Sequence, residues 1–586
     1  MDSLGNKLAA ARREADNVDE RITIGDWTYD EGISRWCLPF VVSLEEPREM
    51  PKGSSWILTV EDCYPAGEVR VWPAREGGIT DTYPHQLNNG LEPHGLLCRS
   101  GRLCLFGESA EAGIPDDSDF KVACFIEKTL EWIDCANEGA LMAEGEHLEL
   151  PAFNYGSGPA IMYLEDDITK MMWDAIGDIT AGLARIRVIG DRLLALYGFS
   201  LGKDRHEIEP PWGEAVTSAK AECEAVWVLA GEAPSVKRWQ APNNFAELRE
   251  YLDRCGVDFD EVVSRYGASL RDGKQHYFLI GVPVPENVKG QADHLSWFAF
   301  LMPALTTKSN LGKNAVGKAS TLKTVDKVKL FAGNGKVNWV QTHNVAKPQL
   351  HSRGSLCDSL AESNVLVVGA GSLGSLVSEA LVRGGVSNIA ISDSDSFNLG
   401  NITRHVLGFS AVGRLKAHEL CERLKSISPN VESVQLAAIG FDGGPRADDF
   451  DLIVDCTGSA RVLDWIEAAK PKRSVQLAVF SFGIGAKSVY IWMGLASDFT
   501  HEAYNAKFAD RIGSDMRNAG ALPWEGTGCW SPVFPAQHSD VAMAAAMCMK
   551  ALDAFVGSGD GRNVAQVLEF QYNAEGLPLS MRSVEL

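Results

Sequence analysis

The sequence predicts a multidomain chain of mixed α/β and α+β type, and three observations predict it. At 586 residues the chain exceeds what a single hydrophobic core supports, so several domains are required. Its first 150 residues read as one helix followed by a strand meander, an α+β beginning. From Asn364 an apolar strand runs into Gly-x-Gly-x-x-Gly and a helix, the start of a Rossmann-like α/β unit. The divisions expected are 1–150, a connecting domain of mixed α and β at 151–355, and 356–586.

Composition narrows the class. Hydrophobic residues make up 45% and charged residues 23%, an ordinary globular balance. A net charge of −23 argues against a general nucleic-acid or anionic-membrane binder. Met1 to Lys7 contain no apolar signal core, and apolar runs such as Leu295 to Leu305 are too short to span a bilayer. The 13 cysteines include no C-x-x-C pair, which leaves a paired-cysteine zinc site unsupported and fits a reducing cytoplasm.

In chain order, Leu4, Leu8, Ala11 and Ala15 form the apolar stripe of an amphipathic helix. Strands are expected at Trp36 to Leu44, Ser55 to Val60 and Val69 to Trp72, separated by Pro-Lys-Gly and Pro-Ala-Gly turns. An irregular stretch follows, with Tyr83-Pro84-His85, Pro93-His94-Gly95 and Gly101-Arg102-Leu103-Cys104-Leu105. Irregular backbone leaves a thiol reachable, and a thiolate is a nucleophile. Cys104 and Cys98 both lie in this stretch, and a buried core cysteine is the bland reading of Cys104. Phe120 to Asp134 closes the domain as a strand or helix.

The middle of the chain says least. Ile168 to Tyr197 carries helical periodicity, while Phe278 to Val284 and Trp297 to Leu301 read as strands. Between Thr306 and Leu350 there are eight lysines against one acid, Asp326. The stretch is either a docking face for an acidic partner or phosphate, or a solvated linker.

The C-terminal third carries the chemistry. Val365 to Val368 form a buried parallel strand. Gly369 permits the turn, Gly371 the approach of a phosphate, and Gly374 the packing of the helix Ser372 to Arg383. That helix directs free N–H groups at an anion. A second strand, Asn388 to Ser392, ends at Asp393, an acid that would also suit the ribose of NAD. The residues beyond it point to ATP instead. Asn401, Arg404 and Lys416 follow, and Asp455 closes a third strand. Cations neutralise β- and γ-phosphates, and an Asp at a strand end can hold Mg²⁺. Asp498 to Thr527 reads as a polar loop leading to Gly528-Cys529-Trp530, and Ser539 to Phe555 as a helix with Cys548 in its core face.

Two resemblances follow from these motifs. The glycine loop, D-x-D at Asp393, N-x-x-R at Asn401, Lys416 and the D-C-T at Asp455 together resemble the ThiF/MoeB and ubiquitin-activating enzyme family over roughly 360–580. That likeness implies a ThiF/MoeB adenylation fold. Asp393 would bind ribose, Asn401, Arg404 and Lys416 the triphosphate, and Asp455 Mg²⁺. Cys529 would be the acyl-accepting cysteine on a crossover loop, and the family habit is a homodimer. The N-terminal region resembles ubiquitin-conjugating enzymes, whose His-to-Cys step of ten residues is matched by His94 and Cys104. Gly95-Leu96 stands where that family has Pro-Asn, so the oxyanion-stabilising role has no assigned residue, with His94 and His85 as the alternatives.

Both domains on one chain resemble the bacterial fused activating/conjugating enzymes of antiphage CBASS operons. This implies ATP-dependent activation of a partner's C-terminal carboxylate, the partner being a cGAS-like nucleotidyltransferase. The acyl group would pass through Cys529 and Cys104 to an amine acceptor. The alternatives are a sulfur-carrier adenylyltransferase of ThiF/MoeB type and a non-catalytic nucleotide-binding scaffold. The C-terminus, Arg582 to Leu586, lacks a Gly-Gly tail, so the chain is not expected to be its own substrate.

Overall fold

A computed structural model describes the chain except residues 1–3, 91–94, 107–113, 115–116, 118, 178, 202–205, 221, 293, 308–318, 437–438, 440–443, 519–523, 526–530, 533–535, 560, 574 and 576–577. Two compact units emerge: residues 1–210 with 221–344, and residues 211–220 with 345–586.

The first unit begins with α1 (Leu4–Ala15) and a sheet of β1 (Ile22–Ile24), β2 (Thr28–Asp30), β3 (Arg35–Ser43), β4 (Gly53–Val60) and β5 (Val69–Pro73). The strands pair antiparallel in the order β1-β3-β4-β5, with β2 on β3. Period-two alternation sends Leu38, Phe40, Trp56, Leu58 and Val71 to one face, where Leu8 and Ala11 of α1 and Phe125, Ile126 and Ile133 of α2 (Lys121–Glu138) complete the core. The 120–134 region is therefore helix. Its apolar residues recur at helical spacing, and Gly139 at φ +69° ends it in a left-handed cap.

A mixed nine-stranded sheet follows: β6 (Ala160–Tyr163), β7 (Ala181–Gly190), β8 (Leu193–Leu201), β9 (His206–Ile208), β10 (Glu222–Leu229), β11 (His276–Pro283), β12 (Leu295–Met302), β13 (Asn338–Val340) and β14 (Thr342–Asn344). The helical periodicity read over 168–197 is corrected here. Among the described residues only α3 (Asp167–Asp174) is helical there, and from Ala181 the chain is the β7–β8 hairpin. Gly182, Ala184 and Ile186 face inward while Arg185 and Arg187 alternate outward, a period-two pattern that mimics helical spacing in a short window.

The second unit is an eight-stranded sheet. Its strands are β15 (Asn364–Val368), β16 (Asn388–Ser392), β17 (Glu432–Leu436), β18 (Leu452–Asp455), β19 (Gln476–Phe482), β20 (Ser488–Leu495), β21 (Val564–Tyr572) and β22 (Pro578–Glu585). They lie in the order 17-16-15-18-19-20-21-22, and the run from β17 to β19 is parallel. Strand order reverses between β15 and β18, the switch point beside which open α/β sheets bind ligands. Helices α4 (Ser372–Arg383), α5 (Lys416–Lys425), α6 (Ala460–Ala469), α7 (His501–Asn518) and α8 (His538–Ser558) cover the faces.

Two further expectations are corrected in this unit. Most of the stretch read as a polar loop over 498–527 is the helix α7, because Tyr504 and Phe508 sit four residues apart and bury against the same core as Trp492 and Phe499. The scan for apolar runs also passed over α8, which is long and apolar enough by composition to cross a bilayer. Here Val541, Ala545, Cys548, Leu552 and Phe555 of α8 fill the core against the sheet.

Candidate functional site

A cleft of about 380 Å³ opens at the C-terminal ends of β15, β16 and β18. Its floor is the glycine turn. Gly369 takes φ +92°, where a side chain is strained, and a Cβ there would also meet Thr457 at 2.7 Å. Gly371, the N-cap of α4, borders the cleft and has nothing within 4 Å of a built Cβ. Gly374 lies behind it, where a Cβ would sit 1.8 Å from the Gly369 carbonyl oxygen. The three glycines thus serve turn, ligand approach and helix packing separately.

The backbone of this turn is held from two sides. Asp393 accepts from the Ala370 N–H at 2.6 Å and from the Asp395 N–H at 2.7 Å. Burial raises its carboxyl pKa, against these hydrogen bonds and the charge of Lys416. On the other side the Ala370 carbonyl accepts from Nε2 of buried His405 at 2.7 Å. The His405 Nδ1 accepts from the Leu407 N–H at 3.1 Å, which fixes the neutral tautomer. Burial depresses its pKa to about 4.

Lys416 opens α5 and is nearly buried, with Nζ 2.9 Å from Asp395 and the cleft in front of it. Asp455 ends β18 with no exposure. Its Oδ1 accepts from the Thr457 N–H at 2.9 Å and the Thr457 hydroxyl at 2.6 Å, while Oδ2 has no partner among the described residues. Desolvation pushes its pKa to about 6. Such an orphaned oxygen, with a hydroxyl beside it, fits the single protein carboxylate that a phosphate-bound Mg²⁺ takes. Among the described residues no cluster of three metal-ligating side chains exists.

The structure brings Gly369, Gly371, Asp393 and Lys416 to the cleft lining, while Asp455, which precedes the lining residues Cys456 and Thr457 in the chain, is not on it. Asn401, Arg404 and Gly374 are not on that lining. Asn401 closes a turn by accepting from the Asn398 N–H at 3.0 Å, and Arg404 reaches the Gly400 carbonyl at 3.4 Å. The motifs did not single out Arg461, His405 or Ser459. Arg461 and Ser459 border the cleft at the N-terminus of α6, and His405 braces the glycine turn. Arg461 stands six residues after Asp455, and His405 directly follows Arg404. Only three-dimensional proximity gives them meaning.

In the first unit Cys104 is exposed, on extended chain between β5 and the 83–87 segment. The Leu103 N–H donates to the Val71 carbonyl at 3.0 Å and the Cys104 N–H to the His85 carbonyl at 2.8 Å. Burial of the sulfur and the charge of Glu149 raise the thiol's pKa, opposed by Arg102. Cys98 is buried beside Cys37, Ile57 and Ala74, and burial raises its pKa as well. His85 has Nδ1 3.0 Å from Glu149 and Nε2 3.1 Å from the Leu141 carbonyl, so both ring nitrogens are occupied. His94 and Cys529 lie outside the described residues.

Residues 139–345 match the model of the Cap2 central linker domain, and residues 343–482 that of the ThiF family. The ATP-dependent ubiquitin transferase-like protein Cap2 of Enterobacter hormaechei subsp. hoffmannii is 27% identical over 566 residues, 93% of each chain. The protein of the same description from Pseudomonas aeruginosa is 30% identical over 145 residues, 24% of this chain and 26% of that one. Molybdopterin-synthase adenylyltransferase of Escherichia coli is 32% identical over 114 residues, 19% of this chain and 46% of that one. The chain is thus similar to the ThiF family over 343–482, to the Cap2 central linker domain over 139–345, and along 93% of its length to a protein described as ATP-dependent ubiquitin transferase-like.

Proposed function

We propose that the chain is a cytoplasmic, homodimeric ATP-dependent ligase of antiphage defence. It adenylates the C-terminal carboxylate of a partner protein and passes the acyl group through Cys529 and Cys104 to an amine. The partner on this reading is a cGAS-like nucleotidyltransferase. The observation that carries the proposal is the cleft itself: glycine turn, Asp393, Lys416 and the orphaned Asp455 oxygen converge at one end of one sheet.

The physical task is to bring a carboxylate to an α-phosphate. Two such anions 4 Å apart repel by roughly 4 kcal/mol at an effective dielectric of 20. The N-terminus of α4 and the N–H of Gly371 face one phosphate. Asp393 accepts from the ribose hydroxyls. Lys416 exchanges its Asp395 partner for phosphate oxygens, with Asn401 and Arg404 reaching the triphosphate from the adjoining turn. Asp455 would hold Mg²⁺, which would supply further neutralising charge. The carboxylate oxygen then bonds to the α-phosphorus, and pyrophosphate leaves. The Cys529 thiolate attacks the acyl carbon and releases AMP, and the Cys104 thiolate displaces Cys529.

The test is a non-reducing gel after incubation with ATP, Mg²⁺ and the protein encoded beside this one. Wild type runs next to Cys104→Ala and Cys529→Ala, with pyrophosphate exchange measured in parallel. A thiol-sensitive, ATP-dependent adduct that loses its second site in Cys104→Ala supports the relay. An adduct indifferent to Cys104 leaves only the activating half, and absence of both adduct and exchange overturns the reading.

A further inference from the structure

The chain around Cys104 is pinned along both edges. The Leu103 N–H donates to the Val71 carbonyl at 3.0 Å, the Cys104 N–H to the His85 carbonyl at 2.8 Å, and the Leu87 N–H to the Arg102 carbonyl at 2.9 Å. Leu103 forms a β-bridge with Gln86 and is buried in the core. Arg102 and Cys104, on either side of it in sequence, therefore share the opposite face. Both line one hollow of about 160 Å³, which Leu105, Phe106 and Phe125 also border.

The other charges of this hollow are already engaged. Glu68 and Arg70 pair with each other, and Glu68 also takes Arg35 at 3.0 Å. Arg102 joins neither pair, and its Nε is buried without a hydrogen-bond partner among the described residues. Its charge is felt at the Cys104 sulfur, where it opposes the effect of burial. A thioester under attack needs a donor for its developing oxyanion. The His85 ring is held at both nitrogens, by Glu149 and by the Leu141 carbonyl, and Gly95-Leu96 carries no side-chain donor.

We propose that the Arg102 guanidinium is the donor that holds the carbonyl oxygen of a Cys104-bound acyl group as it becomes an oxyanion. This rests on the reading of Cys104 as an acyl carrier. The amine nitrogen bonds to the thioester carbon, and the carbonyl π pair moves onto the oxygen, to which the guanidinium N–H groups donate. The proton of the nitrogen goes to solvent, which reaches the exposed Cys104. The carbonyl re-forms, the C–S bond breaks, and its electron pair leaves with the sulfur as thiolate. A guanidinium suits the task because it stays protonated and its charge-assisted hydrogen bonds are about twice as strong as neutral ones.

The test loads the full chain without ATP, by exchange of Cys104 with a glycine-ended peptide supplied as its mercaptoethanesulfonate thioester, using Cys104→Ala as the blank. Loading is prolonged for the variants, since the same oxyanion forms on entry. Discharge to lysine is then timed for wild type, Arg102→Ala and Arg102→Lys. In parallel, alkylation of unloaded Cys104 by iodoacetamide is followed against pH on the Cys104 peptide by mass spectrometry, a reaction of the same thiolate that passes through no oxyanion. Discharge should fall about 100-fold in Arg102→Ala, within the range for loss of one oxyanion donor, while the limiting alkylation rate at high pH changes less than about 3-fold. Arg102→Lys, which keeps the charge, should lose less. A discharge loss below about 3-fold, or one matched by the alkylation loss, overturns the proposal and leaves the Cys104 reading standing. No loading of wild type above the blank overturns that reading and this proposal with it.

Discussion

The nucleotide cleft and the Cys104 region solve the problem of holding reactive groups in opposite ways. The cleft hangs on regular structure. Three parallel strands end at one edge, and Val368, Ser392 and Asp455 are carried there by register. Cys104 sits on irregular chain, tied by single hydrogen bonds to segments 19 and 45 residues away in sequence, at His85 and, through it, Glu149. Rigid register leaves its mark as short, spaced motifs. A site assembled from loops leaves almost none, because each tie joins residues with no fixed sequence separation.

The sharpest way to break this comparison is to remove Asp455, whose Oδ2 has no partner among the described residues. Asp455→Asn should lower ATP–pyrophosphate exchange about 1000-fold, roughly 4 kcal/mol of transition-state stabilisation. Peptide-thioester exchange at Cys104 should persist. If both fall together, the two sites are not separately built.

Next in size is a methyl group on the rigid side. Gly374→Ala places a Cβ 1.8 Å from the Gly369 oxygen, so backbone must move, at a cost of about 3 kcal/mol or more in chemical unfolding. Gly371→Ala meets nothing within 4 Å, so it should fold normally and weaken ATP binding, measured by calorimetry. Gly95→Ala, in open space at φ +81° near the thiol region, should cost only about 1 kcal/mol.

The nine-stranded sheet offers a third kind of polar device, buried and away from both sites. Glu165 accepts from the indole N–H groups of Trp297 at 2.8 Å and Trp173 at 3.0 Å and from the Thr169 hydroxyl at 2.8 Å. Burial nonetheless raises its pKa to about 7. The folded state therefore holds a proton between pH 4.5 and 7 that the unfolded chain has released. Stability should fall by about 3 kcal/mol as pH rises through that window and stay low above it. Unfolding of wild type and Glu165→Gln at pH 5 and pH 8 checks this, since the variant should lack the slope.

The last effect concerns Arg461. Its place on the same cleft lining as Lys416 predicts about a 10-fold rise in the KM for ATP in Arg461→Ala, near 1.4 kcal/mol. Steady-state exchange assays across ATP concentration decide it. An unchanged KM would leave Lys416 as the cation that counts on that wall.

Legibility followed the same divide. Helix α4 and strand β16 lie at the boundaries that periodicity and glycine placement indicated, because a parallel strand, a glycine turn and an amphipathic helix each have a local signature. The 168–197 hairpin and α7 were misread, because short windows of alternating small and charged residues, or a polar helix with one buried stripe, carry weak periodicity. In the cleft Asp393 and Lys416 were legible from spacing. Arg461 was not, since a lone arginine after a strand means nothing until helix and strand are packed.

What the sequence alone determined is the strand, glycine turn and helix that open the C-terminal sheet, with Asp393 and Lys416 of its cleft. Steric demand at Gly369 and Gly374 and the apolar strand before them are local properties that any folding must respect. Only the tertiary structure decided which groups meet. It hid Cys98 and exposed Cys104, buried one oxygen of Asp455 without a partner among the described residues, and set Glu149 against His85. Burial and long-range hydrogen bonding are properties of the packed chain, and no short stretch of residues encodes them.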